Sequence, residues 1–115
     1  MSDWELSERR FPDPKGSVMA FVQIIEFRTS KPDEMQAVAD EWVEATEGKR
    51  RARRRVLCKD RDNDGRYFNI VFFDSYEEAM ENSAMPETDR LSKKMMGFAD
   101  GAAKFYNLDV VDDQE

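Results

Sequence analysis

The sequence predicts an α+β domain: one antiparallel four-stranded sheet with its helices on a single face. Three observations carry that prediction. The hydrophobic period changes along the chain in the order strand, helix, strand, strand, helix, strand. The length, 115 residues, suits one domain with a core and not two. A turn-rich segment at residues 60–65, D-R-D-N-D-G, joins the two middle strands as a hairpin.

Residues 1–17 hold Pro12, Pro14 and Gly16 among charges and follow no period, so they are expected to form an extension, with Trp4, Leu6 and Phe11 as candidate anchors. The domain is expected over residues 18–111. From Val18 a short β-branched and aromatic run, strongest over Phe21 to Phe27, suits a strand buried on both faces. Ser30 with Asp33 three residues on, and Pro32 between them, announces a helix start. Met35, Val38, Ala39, Trp42, Val43 and Thr46 then form one apolar stripe that stops at Gly48. Residues 51–59 and 67–73 are the hairpin strands. Ser75 and Glu78 have capping-box spacing, and Pro86 divides the second helical stretch into a short helix and a longer one carrying Leu91, Met95 and Phe98. Residues 104–111 read as the last strand and 112–115 as an acidic tail. Right-handed crossovers turn this order into a ferredoxin-like βαββαβ sheet.

Alternation splits each strand into two sets. The more uniformly apolar sets, Val22 and Ile24, Phe68, Ile70 and Phe72, and Tyr106, Leu108 and Val110, are expected to face the helices. The opposite sets mix aromatics with amides: Phe21, Gln23, Ile25 and Phe27; Tyr67, Asn69, Val71 and Phe73; Phe105, Asn107 and Asp109. An open sheet face of that kind is an aggregation hazard in a monomer, so a homodimer with sheet laid against sheet is expected, enclosing an α+β barrel.

The opening strand Phe21 to Phe27, the run F-F-D-S-Y-E-E-A-M at residues 72–80 and N-S-A-M-P-E at 82–87 resemble the dimeric α+β barrel superfamily that contains the antibiotic biosynthesis monooxygenase-like proteins. The resemblance spans about residues 18–111 and implies the fold more than an activity. Oxygenases of that group often carry a Trp at the end of the third strand, where this chain has Phe73. Its haem-degrading members need an iron-ligating His, and this chain has no His at all.

Composition narrows the chemistry. Absence of His removes the commonest general base and metal ligand, and a single Cys58 excludes an internal disulfide. Cys58, beside Val56 and Leu57, reads as a core or half-buried thiol. The longest apolar run is five residues, so no transmembrane helix is expected, and with no secretory pattern the protein is expected in the cytoplasm. The net charge is −7, yet residues 49–55, K-R-R-A-R-R-R, hold six of the 18 basic residues, leaving 12 basic against 25 acidic residues elsewhere. Without interleaved aromatics the run does not suit stacking on bases, and no nucleic-acid partner is expected. It reads as a charged edge strand or as a dock for acidic helices of a partner subunit, with Arg53, Arg55 and Leu57 turned to the cavity side.

Asp60, Asp62, Asp64 and Gly65 match the start of a calcium loop, but its twelfth position is Val71 rather than Glu, so a hairpin turn with left-handed Gly65 is expected, and no metal. No phosphate loop, nucleophile elbow or Cys pair is present, and no cofactor is expected. The functional expectation is a small dimeric α+β barrel protein, non-catalytic or structural, binding a small anionic or aromatic ligand on the open sheet face. Gln23, Arg55, Tyr67, Asn69, Phe73 and Asn107 are its candidate ligand-binding residues. The alternative is a cofactor-independent, monooxygenase-like enzyme for a small conjugated substrate. Absence of His and of a cavity Trp favours the first.

Overall fold

The computed structural model describes residues 19–114, and the extension expected at residues 1–17 lies outside them. The elements are β1 (Phe21–Arg28), α1 (Pro32–Ala45), β2 (Arg54–Lys59), β3 (Arg66–Phe73), α2 (Tyr76–Ala84), α3 (Pro86–Met96) and β4 (Lys104–Asp109). The strands form one antiparallel sheet in the order β2-β3-β1-β4. The α+β ferredoxin-like class is as the sequence predicts.

Local chemistry fixes the element ends. Ser75 Oγ accepts the Glu78 backbone N–H at 3.1 Å and starts α2, as its spacing implies. Met85 is extended because Pro86 follows it; it ends α2 and starts α3, with the proline in the first turn. Gly65 closes the hairpin at φ +84°. The start of α1 differs from expectation: Ser30 makes no cap, and Lys31 occupies the N-cap position without a side-chain bond. The neighbouring Thr29 does that work, accepting the Lys31 N–H at 2.9 Å and donating to the Phe98 carbonyl at 2.6 Å, which ties the start of α1 to the segment after α3. Helix α1 stops at Ala45, where Thr46 leaves helical geometry while its N–H and Oγ1 still bond the Trp42 carbonyl, and the chain turns away through Gly48 at φ +79°.

Three of the six basic residues in the run form ion pairs within the chain. Lys49 pairs with Glu87, Arg51 with Glu81 at 3.2 Å and Arg53 with Asp74 at 2.5 Å. Arg53 is thus paired with Asp74, and Leu57, 38% exposed on the edge strand, shares the face of Arg55 as expected without lining the cavity.

The largest correction concerns which face the helices cover. Phe21, Val71 and Phe73 pack with Ala79 of α2 in the core, and Phe21 meets the Tyr76 ring edge-on at 5.5 Å. The mixed set of aromatics and amides therefore faces the helices, and the purely apolar set is open. Val22, Ile24, Val56, Phe68, Ile70 and Phe72 are only half-buried, while Tyr106 and Leu108 are exposed. Alternation separates the two sets correctly but does not say which set meets the helices. The choice by apolarity failed because the helix layer stands over a cavity that uses the polar groups. Strand β1, expected to be buried on both faces, is covered on one.

Candidate functional site

A cavity of about 110 Å³ lies between the sheet and the helix layer of a single chain. The expected location on the open sheet face is thereby corrected. Its floor comes from three strands: Gln23 and Ile25 of β1, Arg55 of β2, and Asn69, Val71 and Phe73 of β3. Its roof is Ala39 and Trp42 of α1, Asn82 and Ser83 of α2, and Thr88, Leu91, Ser92 and Met95 of α3. An apolar cavity of about 150 Å³ holds a benzene ring, so this smaller volume encloses at most one ring.

Four of the six candidate residues, Gln23, Arg55, Asn69 and Phe73, meet there. The other two share the helix-side face without lining the cavity. Tyr67 stacks on Phe27 with ring centroids 5.6 Å apart, and Asn107 on the exposed strand β4 accepts the Gln23 Nε2–H at 3.1 Å.

The roof residues were legible only as a core stripe. Trp42 is the most consequential of them, since the sequence offered no cavity Trp at the end of β3. Phe73 holds that strand position, and the indole comes instead from α1. Its Nε1–H donates to Thr88 Oγ1 at 2.9 Å, and the Arg50 guanidinium lies 5.8 Å from the ring centroid. The ring is thus fixed from two sides. Asn82 is buried because its Oδ1 accepts the Arg51 backbone N–H at 3.0 Å, joining α2 to the segment before β2. A helical Asn and a distant basic loop give no sequence signal for such a bond.

Among the described residues lining the cavity, Arg55 is the one charged side chain. Its Nη1–H donates to Asn69 Oδ1 at 3.2 Å, and no described carboxylate lies within ion-pair distance. Burial pushes the guanidinium below its ordinary value, with the charge of Asp40 on α1 opposing, yet a group that basic stays charged at neutral pH. The site is a positive, hydrogen-bonding end set among Trp42, Phe73, Leu91 and Met95.

No group of His, Cys, Asp or Glu among the described residues could hold a metal ion. No described helix is long and apolar enough to cross a membrane.

No family model matches the chain, and no curated protein matches it. Solved structures do. A mutant of SnoaB, a cofactor-independent oxygenase from Streptomyces nogalater, superposes with a TM-score of 0.70 at 14% identity, over 82% of this chain and 95% of that one. An antibiotic biosynthesis monooxygenase gives 0.66 at 16% identity over 79% and 98%. Rv0793 from Mycobacterium tuberculosis gives 0.67 at 16% identity over 83% and 98%. The chain therefore shares the α+β fold of these solved structures, SnoaB and an antibiotic biosynthesis monooxygenase among them.

Proposed function

We propose that the protein binds a small aromatic anion in the cavity between its sheet and its helices. One observation carries the reading: a half-buried guanidinium without an ion-pair partner stands among aromatic and aliphatic walls. Leaving a charge so placed is costly unless something pairs with it, and a ligand carboxylate, phenolate or enolate would do so. Aromatic packing by Trp42 and Phe73 suits the body of such a ligand.

We also propose that two copies join through the open sheet face. Its row of Val22, Ile24, Phe68, Ile70 and Phe72 has no helix over it, and a second sheet would bury it. A reducing, cytoplasmic setting fits a chain whose one thiol, Cys58, is free on that face.

The test is a thermal-shift and fluorescence screen of one-ring aromatic carboxylates and phenolates against the full chain. A concentration-dependent rise in Tm with quenching lost in Trp42→Phe supports the reading. No shift with any such compound overturns it.

A second reading, a cofactor-independent oxygenase for a small conjugated substrate, is favoured by the fixed Trp42 indole in the cavity and by the fold likeness to SnoaB. Oxygen uptake with turnover of a bound compound would separate it from simple binding.

A further inference from the structure

The Arg55–Asn69 pair has a directional consequence. A guanidinium carries N–H donors and no acceptor, so the edge of the Asn69 amide that faces Arg55 must be its oxygen. The Asn69 NH2 is then held turned away from Arg55. Leu57 and Ile25, the cross-strand neighbours of Asn69, have no polar side-chain group that could compete for it. With the amide oxygen engaged, this end of the cavity offers a ligand N–H groups: the Asn69 amide and the unused donors of Arg55.

We propose that Arg55 is a positioning residue for Asn69, and that together they form a donor-only clamp selecting ligands by an oxyanion at one end of a single ring. The inference rests on the cavity reading above and deepens it. An aromatic phenolate or carboxylate accepts from both side chains. A neutral ring of the same size keeps the wall contacts but leaves the clamp unpaired. Two fused rings exceed the space that about 110 Å³ provides. Arg55 therefore acts twice, as a charge and as the group that sets which edge of Asn69 the ligand meets.

The probe is 4-nitrophenol, which ionises near neutrality and whose phenolate is coloured, with nitrobenzene as its neutral counterpart. Bound to the full-length protein, 4-nitrophenol should ionise at a pH about one unit lower than in buffer, a preference of about tenfold for the phenolate. Asn69→Leu should weaken phenolate binding about tenfold in the parent and less than about twofold in an Arg55→Met background, since the amide has then lost its orientation. Arg55→Lys keeps a charge but not the fork, and should restore only part of the lowered ionisation pH. It also guards against a misfolded Arg55→Met. If Asn69→Leu costs as much with Arg55 removed as with it present while the phenolate still outbinds nitrobenzene, the clamp is wrong and the anion reading stands; if nitrobenzene binds as tightly as the phenolate, the clamp and the anion reading both fail. If neither probe binds, both fail.

Discussion

The two faces of this sheet are made from neighbouring residues of the same strands, yet they have opposite character. On β3, Asn69, Val71 and Phe73 look toward the helices and Phe68, Ile70 and Phe72 look away. The helix side carries amides and a half-buried guanidinium at its centre; the open side has no amide in its rows and carries its charges, Arg54, Glu26, Arg66 and Lys104, around the apolar middle formed by Val22, Ile24, Ile70 and Phe72. A covered face would be expected to be the more apolar one, and here the order is reversed. The difference teaches that covering and filling are distinct. The helices cover their face without filling it, so polar groups survive there beside a cavity, whereas the open face keeps an unbroken apolar middle and holds its charges at the margins.

Adjacent phenylalanines give the sharpest break of that comparison. Phe73 is 1% exposed in the core, so Phe73→Ala should cost about 3–5 kcal/mol in urea unfolding. Phe72→Asp changes the other face: it should turn two associated chains into one by light scattering and leave the fold in place. A dimer that survives Phe72→Asp would show that the open face is not the interface.

A smaller effect is expected at the polar joint. Asn82→Leu leaves the Arg51 N–H unpaired, and should cost about 1–3 kcal/mol. Asn69→Leu is the contrasting case, because its partner Arg55 can turn to water. Its Tm should stay level or rise while the ligand-induced shift shrinks at a fixed ligand concentration.

The smallest effect is that of pH. Hydrogen bonds from Arg66 to Glu26, from Lys94 to Glu41 and from Lys49 to Glu87 hold these carboxyls below the ordinary glutamate range. Groups with a lowered folded value stabilise the fold above the ordinary range and lose that contribution as pH falls through it toward the lowered value. All three sit at the surface, so Tm should decline only gently on acidification and the decline should shrink in high salt.

Much of the fold was legible because its signals are local. The Ser75–Glu78 spacing, Pro86 and Gly65 each fix a boundary by their own chemistry, and strand alternation sorted the residues of every strand into the right sets. The features that were not legible depend on distant partners. Nothing near Ser30 shows that Thr29 will cap instead, because its second bond is to Phe98, 69 residues away. Trp42 reads as one residue of an apolar stripe until Thr88 and Arg50 fix its ring. The orientation of the sheet's two faces could have been inferred by asking where Gln23, Arg55 and Asn69 could find both partners and space, rather than which set is more apolar.

The isoleucines provide the most direct test of the central claim, that the helix side binds the ligand and the open side binds a second copy. The chain has three, Ile24, Ile25 and Ile70. Ile25 lines the cavity, while Ile24 and Ile70 are cross-strand partners on the open face. In methyl-labelled protein, titration with 4-nitrophenolate should move the Ile25 resonance and leave the other two in place. Dilution through the association range should move Ile24 and Ile70 and spare Ile25. Ligand shifts at Ile24 and Ile70 with Ile25 unmoved would put the cavity on the open face and contradict the account.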